Sequence, residues 1–224
     1  MGIDTSGNTA SVAIGDNEKI IAQTTIFTKL THSQIILPLV ERVIKDADLT
    51  LADLDGFAVA NGPGSYTGLR IGISAVKAMC FSLKKSCVGI STLQSLAQNC
   101  VGSKAIILPI MRARPDIAYY GIYQSDGETL SKIVDDNIAP IEQIANQIKE
   151  YEDIILVGDN AQEFYNKFNG EIPNMRLAPL HERLQNATSL CQIAQNIEAY
   201  PPENLDTAYL QITKAEKEKN EEQK

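Results

Sequence analysis

At 224 residues and 44% hydrophobic content, the chain can build a substantial interior and suits one two-lobed unit or two domains. A net charge of −8 argues against nucleic-acid binding by the chain on its own, because phosphate contact needs clustered Lys and Arg. Four cysteines without a C-x-x-C pair, and two histidines (His32, His181) remote from them, leave little material for a disulfide framework, a metal centre or Cys–His catalysis.

The opening "MGIDTSGN" lacks the basic and apolar regions of a signal peptide, and no apolar run approaches the roughly 18 residues of a spanning helix. A soluble, cytoplasmic protein without membrane contact is expected. "GID" reads as a first strand, and Asp4-Thr5-Ser6-Gly7-Asn8 as a polar turn offering a carboxylate, two hydroxyls and a flexible backbone. "TASVAIGDNEKIIAQTTI" then alternates like a hairpin turning at Asp16-Asn17.

The segment "HSQIILPLVERVIKDA" reads as a helix. At about 100° per residue, Ile35, Ile36, Leu37, Leu39, Val40, Val43 and Ile44 cover roughly 200°, about twice the stripe that a surface helix needs. The surplus is expected to meet a partner, with burial under the second lobe as the competing explanation.

"DGFAVANG" reads as a buried strand running into "NGPGSYTGLRIG" at 61–72. Its glycines fall as G-x-G-x-x-x-G, one residue too long for the dinucleotide fingerprint, and Leu69-Arg70 stands where a P-loop needs Lys-Ser/Thr. Gly62, Pro63, Gly64 and Gly68 are therefore read as a tight corner at positive φ that seats the next helix, although amides at such a terminus can attract an anion. That helix, "TGLRIGISAVKAMCFSLKK", has a core face of Leu69, Ile73, Val76, Cys80 and Leu83. Its second face, Ile71, Ala75 and Ala78 flanked by Ser74 and Ser82, is small enough for another helix to approach. The predicted partner interface is Ile36, Leu39, Val40 and Val43 with Ile71, Ala75 and Ala78; no catalytic residue and no metal ligand is expected.

A second module repeats the first: "AIILPIMRAR", "IAYYGIYQSDGETLSKIV" with a turn at Asp126-Gly127, "APIEQIANQIKEY" and "DIILVG". Aligning Ala10 with Ala118 brings Ile14 onto Ile122 and Glu18 onto Asp126, and puts the counterpart of Asp4 at Met111 or Arg112. The expected organisation is an α/β chain of two βββαβα lobes, 1–102 and 103–209, with a charged, disordered tail over 210–224.

The duplicated βββαβα unit resembles the actin-like ATPase (ASKHA) fold. That resemblance implies that the turn after each first strand wraps a phosphate and that an acidic residue there helps hold the metal. Asp4, Thr5 and Ser6 are thus candidates for nucleotide or phosphate binding, in an active site left degenerate by the second lobe. Together, "GIDTS…ASVAI", "HSQIILPLVERV", "NGPGSYTGLRIGISAVK", "GISTLQSLA" and "YLQITKAEKE" resemble the TsaB (YeaZ) family, over essentially the whole chain and most strongly over 2–98.

The family resemblance implies a non-catalytic partner in threonylcarbamoyladenosine synthesis on tRNA. It would pair with TsaD, a catalytic paralogue, and act with the ATPase TsaE. It also implies a homodimer when alone, indirect contact with tRNA, and no cofactor of its own beyond ATP or ADP bound by the whole complex. The TsaD branch carries H-x-x-x-H on its first helix, whereas His32 is followed four residues later by Ile36. Two departures stand out: Arg112-Ala113-Arg114 replaces D-A-R, and Tyr209-Leu210-Gln211 replaces Y-L-R. The competing readings are an independent phosphotransferase, for which "LVGDNAQEF" offers one adenosine-site glycine, and a glycoprotease-type metallopeptidase, which lacks ligands.

Overall fold

In a computed structural model, residues 1–27 and 29–210 are described. Apart from Leu210, the charged tail expected over 210–224 lies outside the described residues. The first half runs β1 (Gly2–Asp4), β2 (Thr9–Gly15), β3 (Ile20–Phe27), α1 (His32–Asp46), β4 (Gly56–Gly62), α2 (Tyr66–Leu83), β5 (Ser86–Ser91) and α3 (Thr92–Gln98). The second runs β6 (Lys104–Arg114), β7 (Ile117–Asp126), β8 (Leu130–Pro140), α4 (Ile141–Ile148), β9 (Ile154–Val157), α5 (Ala161–Phe168), β10 (Met175–Leu177) and α6 (Ala187–Ala194).

Each half forms a five-stranded sheet of the same order, β3-β2-β1-β4-β5 and β8-β7-β6-β9-β10. In both, the first three strands form an antiparallel meander and the last two run parallel to the first. This duplicated mixed sheet is the actin-like architecture expected from the sequence. Register resolves one ambiguity. Asp4 pairs with Ser11 and Met111 with Tyr119, so with Ala10 set on Ala118 the counterpart of Asp4 is Met111.

The hairpin turns are local chemistry. Asp16 Oδ1 accepts the amides of Glu18 and Lys19, both at 2.8 Å, and Asp126 Oδ1 accepts those of Glu128 and Thr129. α1 begins at Thr31, whose amide donates to Gln34 Oε1 at 3.1 Å. α2 begins at Ser65, whose Oγ accepts the Gly68 amide at 3.2 Å, and ends where Lys84 turns left-handed at φ 55°.

The helices that close each half are exchanged across the seam. Leu93, Leu96 and Ala97 of α3 pack with Ala105, Ile107 and Tyr123 of the second sheet. Leu190 and Ile193 of α6 pack with Ala58, Ala60, Val88 and Ile90 of the first. The chain from Tyr200 to Tyr209 also returns to the first sheet: Tyr200 bridges Cys87, Leu205 is buried in the first core, and the Ala208 amide donates to Asn61 O at 2.7 Å. Each half thus keeps its own sheet, while the connections that end it bury their apolar faces on the other sheet.

The apolar arc of α1 needs correction. Leu39, Val40 and Val43, predicted at a partner interface, are buried in the first core together with Ile35 and Ile36. Two walls cover this helix, the β2–β3 hairpin beneath it and α2 beside it, so most of the wide arc is consumed internally.

Candidate functional site

Two places carry the predicted site residues: the turn after β1, and the groove between α1 and α2. At the turn, Asp4, Thr5 and Ser6 are all fully buried. Asp4 Oδ1 accepts both the Ser6 amide at 2.9 Å and the Ser6 hydroxyl at 2.6 Å. Thr5 Oγ1 donates to Gly68 O at 2.7 Å, and Ser6 O accepts the Ser65 amide at 2.8 Å. The hydroxyls that a phosphate would need are thus committed, that of Thr5 to the start of α2 and that of Ser6 to Asp4 within the turn, while the Ser6 carbonyl makes the second tie to α2.

Burial pushes the Asp4 carboxyl up from the ordinary carboxylate range, opposed by the Ser6 hydrogen bonds and the nearby His32. His32 Nε2 lies 2.9 Å from Gly7 O. Over Gly7 itself sits the carboxamide of Gln185, in the space a Cβ would take. Gln185 is buried; its backbone carbonyl accepts Thr9 Oγ1 at 3.2 Å, and its Nε2 reaches Met111 Sδ at 3.7 Å. The position opposite the Asp4 turn is therefore a thioether, and the gap between the lobes is filled by an amide side chain. A nucleotide phosphate, implied by the actin-like fold, does not fit this turn as folded.

Sequence reasoning missed Gln185, a lone glutamine in a polar connection with no motif around it. It also missed Asp159, a second-lobe carboxylate whose Oδ1 accepts the Arg112 amide at 3.0 Å and whose pKa is raised by burial. Arg112, one of the departures noted above, forms an ion pair with Glu163. All four cysteines are buried, and burial pushes the Cys80 and Cys100 thiols up to about 12, which removes them as thiolate nucleophiles. Among the described residues, no group of three or more His, Cys, Asp or Glu is placed to hold a metal ion, and no helix is long and apolar enough to cross a membrane.

The glycine corner joins the two places. Gly62 adopts φ 131°, a left-handed conformation that favours glycine, and Ala208 O occupies the space of its missing side chain. Pro63 follows it, and Gly64 backs onto Ser6 O. A Cβ on Gly68 would fall under 3.0 Å from Thr5 O, so α2 rests directly on the backbone of the β1 turn.

Seated this way, α2 leaves an open apolar groove of about 800 Å³ against α1. Ile71, Ala75 and Ala78, expected at a partner interface, line it, and Ile36 lies on it from the other side although it is buried. Leu37, 53% exposed, also lines the groove, as do Tyr66 and Arg70 at one end. These three belong to the surface but not to the predicted set. Leu37 was visible as part of the apolar arc; Tyr66 and Arg70 gave no signal beyond helical spacing.

The family described as TsaD, tRNA N6-adenosine threonylcarbamoyltransferase, matches residues 20–213. A curated relative from Bacillus subtilis, the tRNA threonylcarbamoyladenosine biosynthesis protein TsaB, is 28% identical over all of this chain and 99% of its own length. The protein of the same name from Buchnera aphidicola is 34% identical over 71% of this chain and 77% of its own. Among solved structures, YeaZ from Pseudomonas aeruginosa superposes with a TM-score of 0.77 at 24% identity, covering 93% of this chain and 97% of that one.

Proposed function

The chain belongs to the TsaB family, and from that premise we propose that it acts in tRNA threonylcarbamoyladenosine biosynthesis as a non-catalytic subunit that docks a TsaD-type paralogue. The observation that carries the reading is the pairing of a filled cleft with an open groove. Gln185 and the inward-turned hydroxyls of Thr5 and Ser6 leave no phosphate cradle between the lobes. The α1–α2 groove meanwhile presents apolar surface lined by small residues, which suits close helix packing.

The occupant we infer is a chain of the same fold, because the transferase family itself matches this sequence from 20 to 213 and such a paralogue carries a related helix pair. A homodimer formed by the free chain competes for the same face, TsaE joins at the level of the complex, and tRNA is met only indirectly. The test is Ala75→Arg. Ala75 is half-buried on the groove, and a cation forced into a docked apolar centre costs several kcal/mol. The variant should keep its circular dichroism spectrum, run as a monomer by light scattering, and fail to capture TsaD. Wild-type association by the variant would place the interface elsewhere. Robust ATP turnover by the purified wild-type chain alone would favour a phosphotransferase instead.

A further inference from the structure

The groove has one charged residue in its lining, Arg70, and that residue is held in place before any partner arrives. Its guanidinium carbon sits 4.0 Å over the Tyr66 ring, and its Nε donates to the Tyr209 hydroxyl at 3.0 Å. Tyr209 in turn stacks on Tyr66, with ring centroids 5.4 Å apart and planes inclined by 22°. Tyr209 reaches this point because the C-terminal strap is pinned just before it, through the Ala208 amide on Asn61 O. Among the described residues, no carboxylate forms an ion pair with Arg70, so a planar guanidinium that suits a carboxylate is braced by Tyr66 and Tyr209 without one.

We propose that Arg70, positioned by Tyr66 and Tyr209, is the residue that selects a heterologous partner at this groove by gripping a carboxylate on the docked helix. The proposal rests on the groove being the docking face. Its new content is the occupant's chemistry: an apolar helix face carrying an Asp or Glu at the Tyr66 end. Charge complementarity separates that partner from a second copy of this chain. An isologous dimer sets the same patch against itself, and this patch contains a guanidinium and no carboxylate. A self-dimer centred on the groove therefore offers Arg70 no carboxylate from the groove lining, whereas a paralogue with an acidic residue at that position pairs it as the interface dries. Preorganisation by two tyrosines lowers the ordering cost that usually makes a surface arginine a weak contact.

The experiment measures two affinities of the full chain: for purified TsaD from the same organism, by titration calorimetry, and for itself, by light scattering over a dilution series. Arg70→Met, which keeps the length of the side chain, should weaken TsaD binding by about tenfold or more and leave self-association within about twofold. Tyr209→Phe, which loses only the hydroxyl that holds Nε, should give a smaller loss in the same direction. For wild type, TsaD binding should weaken as ionic strength rises from about 0.05 to 0.5 M, and Arg70→Met should flatten that dependence. A shared melting temperature confirms that the variants fold.

Equal weakening of both associations by Arg70→Met would overturn the proposal, as would wild-type TsaD affinity with an unchanged salt dependence. In either case an Ala75→Arg variant that has lost TsaD shows that the groove reading stands. If Ala75→Arg still binds, the groove reading fails and takes the proposal with it. Truncation after Gln211 should leave TsaD affinity unchanged; tighter binding by about tenfold would assign Arg70 to a glutamate of the chain's own tail and overturn the proposal too.

Discussion

Gly68→Ala tests whether α2 is seated on the β1 turn by its glycines. In a free helix, alanine is favoured over glycine by about 1 kcal/mol, so the intrinsic term stabilises the variant. Against it stands the added methyl, which would fall under 3.0 Å from Thr5 O, a rigid backbone atom. Relieving that overlap costs about 1–3 kcal/mol as overpacking. The shift also pulls Gly68 O away from Thr5 Oγ1, a buried hydrogen bond of 2.7 Å whose loss costs about 1–3 kcal/mol. The two costs outweigh the helix gain by roughly 1–5 kcal/mol. For a chain of this size, the middle of that range lowers Tm by roughly 6–12 °C. Gly102→Ala is the control: nothing lies within 4 Å of its added Cβ, and its stability should stay within about 0.5 kcal/mol of wild type. Urea titration and calorimetry of the three chains measure the differences. If Gly68→Ala melts at or above wild type, the helix does not rest on the turn, and the account of the glycine corner is wrong.

Val40→Glu should separate the buried face of α1 from the groove: Val40 is only 3% exposed in the first core, so an unpaired carboxylate there should cost several kcal/mol and yield insoluble or unfolded protein, unlike Ala75→Arg. A folded, soluble Val40→Glu monomer would contradict the packing. Asp4→Asn probes the raised carboxyl. Because the folded pKa lies above the unfolded value, the native state holds a proton that the unfolded state releases; wild type therefore loses stability as pH rises above about 4, until the folded carboxyl itself ionises. Asparagine can still accept the Ser6 hydrogen bonds and has no such penalty. The stability of Asp4→Asn relative to wild type should thus increase from pH 4 to pH 7, and a decrease over that interval would mean that the ionised carboxylate has a partner.

What the sequence made legible was local. The hairpins announced themselves because Asp16 and Asp126 satisfy the amides of their own turns, and the same strand order followed twice from the same βββαβα pattern. α2 was legible too: Leu69, Ile73, Val76 and Cys80 are buried, while Ala75 and Ala78 remain on the groove. α1 was misread because a helical wheel counts apolar residues without knowing how many walls will cover them. Here the hairpin and α2 both do, and of the outward apolar side chains Leu37 is the one left substantially exposed. The exchange of α3 and α6 across the seam is a property of the tertiary fold, without a local signature. Gln185 is the sharpest case, since its role depends on Gly7 and Met111, which lie 178 and 74 positions earlier in the chain.

The β1 turn and the groove are one mechanical unit, which gives the phosphate-turn sequence a structural role in the seating of α2. Asp4 shapes the turn through Ser6, Ser6 and Thr5 hold Ser65 and Gly68, and those two residues begin α2. Within the first two turns of the same helix stand Tyr66, Arg70 and Ile71, which line the groove. Residues that read as a nucleotide site therefore hold the start of α2, the helix proposed to dock a partner. The glycines are needed for the same reason: a side chain at 64 or 68 would lift α2 off the turn and tilt the face that a partner meets. On this view a defect in the turn and a defect in the groove look alike in a binding assay, and only stability distinguishes them. Turn variants lose Tm and partner together, whereas groove variants lose the partner alone.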